Sequence, residues 1–373
     1  LRIAITTLSA AFPHVSVWTT QHGDVLLLAS PEAVAIDVAA LRARLDAEPY
    51  KSAMAHVWRS TGVETLLAHH IANPDFTRAV AKEEGEQRIN TDDRNLLEFA
   101  FAGAVGRNAG FPLLDVWNAS LQKKTDRPHG LSGELDWVKV LERRAQQNRV
   151  PLPRGVALSA ERAAVLRAVW RHAADDLGGT LGALKTAEGL ATEQLIEAEA
   201  AAEAFAEAGD ARALEALALV REQEPVEADA IEARLLLRTG RADEAAVKLV
   251  GALLGYRKDP WPKQKVMARA IALAGELAAQ APQHAESLFA ALEQPFAVHM
   301  HDAARRITLL EVGMRLDGAR CARAVEQLEP NFPFERSPLE KRVACFKKAS
   351  HAGLARAEAE LQRFVAAAPP QFE

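Results

Sequence analysis

Asn90, Thr91, Asp92, Asp93 and Arg94 place an amide, a hydroxyl, two carboxylates and a guanidinium on five consecutive residues, and Glu98 follows about one helical turn on. Carboxylates grouped in a cleft hold an amine through charge-assisted hydrogen bonds. The same residues also suit a quieter role. Thr91, Asp92 and Asp93 stand just before Leu96, Leu97 and Phe99, the order in which a side-chain acceptor caps a helix start and negative charge meets its dipole. Residue types alone favour the cap, with a helix over 93–104 and Asp92 at its start.

Other groups with chemical potential are poorer. His69-His70 and His299-x-His301-Asp302 carry metal-ligand types, but adjacent histidines on a helix diverge by about 100° and no acidic or Cys partner sits one turn away. No metal site is expected. Cys345 lies in an amphipathic pattern and reads as core, and neither a phosphate-binding loop nor a nucleophile elbow occurs.

The elements that would position these groups follow from periodicity. Residues 1–11 read as the tail of a helix stopped by Phe12-Pro13. His14-Val15-Ser16-Val17-Trp18 alternates, and Val25-Leu26-Leu27-Leu28-Ala29 is a continuous apolar run of the kind buried on both faces, with Gly23-Asp24 as the turn. This predicts a β-hairpin at the edge of a sheet whose other strands lie upstream, since a lone hairpin is marginal in water. Beyond Pro31 strand signals vanish. Helical stripes run over 36–45, 53–58 and 63–71, the last stopped by Asn73-Pro74, and shorter helices are expected at 113–122 and 134–147 between Gly- and Pro-rich punctuation, including Arg127-Pro128-His129-Gly130. Ser159 then caps a helix ended by Gly178-Gly179.

At 373 residues with 49% apolar and 25% charged content, the chain suits two or three folded domains. No apolar run approaches the roughly 20 residues of a membrane helix. A net charge of −5 argues against a nucleic-acid partner, which calls for clustered Lys and Arg. Residues 188–247 hold 15 acids against 5 Arg and no Lys, a patch suited to a solvated face or to a basic protein partner. Two cysteines are too few for a disulfide framework and suggest a reducing compartment.

The second half is periodic. Gly209-Asp210-Ala211-Arg212-Ala213-Leu214 and Gly240-Arg241-Ala242-Asp243-Glu244-Ala245 each put Gly in an inter-helix turn, 31 residues apart, near the ~34-residue tetratricopeptide period. Further helices follow at 263–279, 283–292, 302–316, 319–328, 338–348 and 353–365. An α-solenoid is the natural architecture.

Phe12-Pro13, the turn at Gly23, the strand closing in Ser30 and Asn90-Thr91-Asp92 occur in the order that ends the Rossmann-like domain of spermidine synthases and their relatives. The chain resembles the C-terminal part of bacterial spermidine-synthase-like fusion proteins. In those, an Asn-Thr-Asp-Asp-Arg segment and an Arg-x-Asp-Pro-Trp-Pro element recur, here Arg257 to Pro262. Where the family's turn carries an aromatic, this chain reads Thr20-Gln21-His22-Gly23. The resemblance implies a mainly α chain: 1–31 a hairpin remnant of a Rossmann-like α/β domain, 32–152 a helical extension, and 153–373 a tetratricopeptide-like helical repeat. It implies an S-adenosyl-type nucleoside held upstream, no cofactor or catalytic residue here, weak substrate contacts from Asn90 to Arg94, a protein partner at the tail and a cytoplasmic location. The alternative is a non-enzymatic helical scaffold with a vestigial α/β part.

Overall fold

The computed structural model describes residues 1–20, 24–58, 61–104, 113–185, 192 and 194–367; the expected Gly23 turn lies outside them. It divides into two compact units. Unit 1 comprises Leu1–Asp175 with Gly182–Ile196, and unit 2 comprises Asp176–Leu181 with Glu197–Glu373. No helix among the described residues is long and apolar enough to cross a membrane.

In chain order the first elements are α1 (Arg2–Ala11), β1 (His14–Thr19), β2 (Val25–Ser30), β3 (Ile36–Asp37), α2 (Val38–Leu45), α3 (Tyr50–Ala53), α4 (Val63–Leu67) and β4 (His70–Ala72). Then come α5 (Pro74–Glu84), α6 (Leu96–Ala104), α7 (Leu113–Gln122), β5 (Leu131–Ser132), α8 (Trp137–Asn148) and α9 (Ala160–Ala173). The expected hairpin is present, with His14 opposite Ser30 and Trp18 opposite Leu26. Its alternation is visible in burial: Val15, Val17 and Thr19 are buried, while His14, Ser16 and Trp18 turn to the opposite face. Val17 joins Ile5, Ile71, Phe76, Val80, Trp117 and Val150 in one apolar cluster under α1 and α5. The Thr77 hydroxyl of α5 donates to the Val15 carbonyl at 2.7 Å, fastening helix to strand. A second cluster, Val38, Leu45, Met54, Val63 and Leu67, takes in Trp18 and Ile36.

The third strand of this sheet comes from downstream within the chain. β4 pairs antiparallel with β1, giving the order β2-β1-β4. The periodic stripe had extended a helix through residue 71, but α4 ends at Leu67. Pro74 disfavours helical backbone just before it, and the short segment leading to Asn73 stays extended and finds the open edge of β1. The other edge of β2 pairs with no described strand. Leu26 and Leu28, expected to be buried on both faces, are 48% and 42% exposed.

The remaining helices are α10 (Leu177–Leu184), α11 (Leu195–Glu207), α12 (Ala213–Gln223), α13 (Pro225–Arg238), α14 (Ala242–Gly255), α15 (Gln264–Gln280), α16 (Ala285–Glu293), α17 (Asp302–Gly313), α18 (Gly318–Glu326), α19 (Arg336–Lys348) and α20 (Leu354–Ala367). Gly178-Gly179 do not end a helix but open one. Asp176 Oδ1 accepts the Gly179 N–H at 2.7 Å, and a Cβ on Gly179 would collide with that carboxylate, so glycine here makes room for the capping group.

Gly209 and Gly240 do occupy equivalent turns. Gly209 has φ 66° and Gly240 φ 78°. The Gly209 N–H reaches Ala206 O at 3.1 Å and the Asp210 N–H reaches Phe205 O at 2.9 Å; Gly240 reaches Leu237 O at 3.1 Å and Arg241 reaches Leu236 O at 2.8 Å. Both are Schellman closures, which satisfy the last carbonyls of a helix by one left-handed residue. Ser350, φ 50°, makes the same closure after α19 without glycine, and for that reason gives no signal in the sequence. α13 packs on both α14 and α15, α15 on both α16 and α17, and α17 on α18.

One expectation about unit 2 is corrected. Cys321 and Cys345 are joined in a disulfide between α18 and α19, so cysteine usage no longer argues for a reducing compartment. Cys345 is nevertheless core, fully buried. Many of the described acids of 188–247 are engaged within the chain. Glu203, Glu224 and Glu227 are buried, Glu203 is paired with Arg269, and Asp229 and Glu232 share Arg221 and Lys248. Asp243 faces His284 and Glu244 faces Arg241. Arginines interleaved in the same window consume much of the negative field at short range.

Candidate functional site

The outer face of the hairpin is apolar where the second cluster does not cover it. There it forms a shallow, half-open recess. Strand alternation places His14, Ser16 and Trp18 of β1 and Leu28 and Ser30 of β2 on its floor. The segment Ala33 to Ile36, Pro74 at the start of α5, and Pro128-His129 make the walls. A concave, mostly apolar site with a few convergent polar groups is the usual form of a small-molecule site.

His70 is the polar centre of the recess. It is 1% exposed, and its ring stands edge-on to Trp18 with centroids 5.0 Å apart. Its Nδ1–H donates to the Asp126 carbonyl at 3.1 Å, which leaves Nε2 as a bare acceptor. Burial, then the nearby Arg144 charge, push its pKa down to about 3, so the ring is neutral at physiological pH. Trp18 Nε1 donates to Ser16 Oγ at 2.9 Å and fixes the indole. His129 Nε2 lies 2.9 Å from Asp75 Oδ2, and Asp75 also pairs with Arg78. Asn73 holds Asp75 in place, its Oδ1 accepting the Asp75 N–H at 3.0 Å as the cap of α5.

His69 and Arg144 lie close by in unit 1. His69 Nδ1–H donates to Thr19 O at 2.8 Å, and the ring lies 4.0 Å from Trp58. Burial first, and Arg144 as well, lower its pKa to about 4. Arg144 is fully buried, with its guanidinium 3.9 Å above the Trp117 ring and its Nε donating to Ala68 O at 3.0 Å. Both terminal nitrogens lack an acceptor among the described residues, and burial pushes the pKa down to about 9. The Asp126 charge acts against that shift, and Arg144 adds to burial in keeping the two neighbouring imidazoles neutral.

Asn90 to Arg94 lies elsewhere and is turned inward on its own backbone. Thr91 and Arg94 exchange backbone hydrogen bonds at 3.2 and 3.0 Å across a tight turn, with Asp92 and Asp93 exposed at its tip. The Asn90 N–H donates to Thr7 Oγ1 at 2.9 Å, and Arg94 Nη1 donates to Gln87 O at 3.3 Å. The helix starts at Leu96 rather than residue 93, and its cap is amide rather than carboxylate: Asn95 Oδ1 accepts Glu98 N–H at 3.3 Å and Asn90 Oδ1 accepts Leu97 N–H at 2.9 Å. The turn uses the residues that the cap reading had assigned to the helix. Asn95→Ala is therefore expected to lower stability by about 1 kcal/mol, and Asp92→Ala by less than about 0.5 kcal/mol. Paired urea melts decide it, and equal losses would restore Asp92 as the cap.

Of the other groups weighed from sequence, His69 and His70 do diverge, as alternate residues entering a strand rather than as neighbours on a helix. Asp302 is occupied by Arg305 and Arg306 at 2.7 and 2.6 Å. The recess itself was missed. Its polar groups come from 14–18, 70 and 129, and Arg127 to Gly130 signalled only a turn. No protein-family model, curated protein or solved structure matches this chain.

Proposed function

We propose that unit 1 completes a transferase-type domain and binds a small molecule in the recess on the outer hairpin face, and that unit 2 is a tetratricopeptide-like tail for protein interaction. The observation that carries the first part is the convergence of His70 Nε2, the His129–Asp75 pair and Ser16 on an apolar hollow floored by Trp18. In this reading His70 accepts a hydrogen bond from the ligand and Trp18 gives it a flat wall, while an S-adenosyl-type nucleoside belongs to an upstream domain. The free edge of β2 and its apolar outer face, Leu26 and Leu28, fit a strand that continues into a larger sheet. The repeated Schellman turns and the packing of helices on next and next-but-one neighbours support the tail. With its acids largely paired internally, the tail would recognise its partner by shape and apolar contact more than by net charge.

A second reading, a helical scaffold without chemistry, is favoured by the exposed, self-satisfied Asn90 to Arg94 turn. A fragment screen by amide and indole chemical shifts separates the two. Binders that move Ser16, Trp18, His70 and His129 together are the expected result. A screen in which no fragment moves these four residues would leave the scaffold reading.

A further inference from the structure

We infer that the ligand of the recess is a neutral, largely apolar small molecule carrying one N–H or O–H donor, which it gives to His70 Nε2. The inference rests on the small-molecule reading of the recess and names its ligand class.

Three observations set the charge of the ligand. No Lys, Arg, Asp or Glu lines the recess. Asp75, the partner of the wall residue His129, is also held by Arg78. Arg144, its charge partly offset by Asp126, places positive charge close enough to His70 to depress its pKa. A protonated amine entering here would lose hydration without gaining a counter-charge and would feel that cation as well. An anion would find no guanidinium or ammonium within the lining.

The polarity of the single strong contact is set by tautomer. With Nδ1–H committed to Asp126 O, the neutral imidazole presents an acceptor, so it discriminates between ligands that donate and isosteres that do not. Ser30 Oγ already accepts the Glu32 N–H at 3.3 Å and Ser16 Oγ accepts from Trp18 Nε1, so both hydroxyls remain able to donate to an acceptor elsewhere on the ligand. Trp18, Leu28, Val34, Ile36, Pro74 and Pro128 supply the remaining surface and favour a flat ring.

The test uses the full chain with indole, benzofuran and protonated benzylamine, followed by chemical shifts. Indole and benzofuran share a shape, and only indole has the N–H. Indole is expected to bind about tenfold more tightly than benzofuran, the value of one hydrogen bond to a buried acceptor. His70→Phe should remove that difference, and benzylammonium should bind no better than benzofuran. Benzofuran equal to indole, or benzylammonium tightest, would each overturn the inference while leaving the recess as a binding site. If His70→Phe does not fold, Leu28→Trp, which fills the floor, serves instead: it should abolish indole binding, and undiminished binding would place the ligand elsewhere. Failure of all three probes to move Trp18 and His70 in the native chain would count against the recess itself and, with it, against this ligand class.

Discussion

Lowering the pH from 7 to 5 is expected to remove on the order of 4 kcal/mol of stability from unit 1. His69 and His70 have pKa values of about 4 and about 3 in the folded chain against an ordinary 6.5. Both rings are almost entirely buried, and burial is the first cause in each. A depressed folded pKa gives stability that is fully present above 6.5 and is lost as pH falls through the folded values, because the unfolded chain takes up the protons first. At pH 5 each histidine contributes about 1.5 pH units of that loss, or roughly 2 kcal/mol. Glu227 in unit 2 works in the opposite sense. Burial raises its carboxyl to about 7, so its contribution is present below the ordinary carboxylate value of 4.5 and fades as pH rises through 7. Hydrogen exchange resolved by residue, compared at pH 7 and 5, should show protection falling around β1 and β4 ahead of α13. Uniform loss across both units, or none, would contradict it. Arg144→Met should raise the pKa of both histidines by removing the nearby charge, so that the loss levels off at a higher pH.

Removing the Cys321–Cys345 bond should cost unit 2 about 3 to 4 kcal/mol, the loop-closure term for a link across 24 residues of sequence. Cys321 and Cys345 are 2% and 0% exposed, so reduction should be slow until the helices open. The double substitution to Ala, which adds no buried hydroxyl, is the cleaner comparison. Its thermal midpoint should fall by several degrees and match that of the fully reduced native chain, whereas an unchanged midpoint under both treatments would deny the bond any role in stability.

How far the fold could be read from sequence depended on the range of the determining interaction. The hairpin was legible because alternation from His14 to Trp18 and the apolar run at Val25 are local. The turns at Gly209 and Gly240 were legible because a left-handed residue usually has to be glycine; Ser350, in the same conformation, was invisible for the converse reason. β4 could not be read, since what makes His70 to Ala72 a strand is the vacant edge of β1 some fifty residues away. The helix start at Leu96 was displaced because Asn95 competed with Asp92, and both are good caps. The recess was the least legible part. Three imidazoles and an indole meet there from separate segments, and no spacing records that meeting.

The bond between α18 and α19 also sets how this end of the chain responds to force. Helices that lean on their neighbours come away from an end, one layer at a time. Tension drawn back through α20 can peel that helix and the last turn of α19, but at Cys345 it passes straight to Cys321 and bypasses the backbone between them. The segment inside the link is mechanically shielded. A load applied through α20 therefore pulls on a clamped pair and reaches α17 without first unravelling α19.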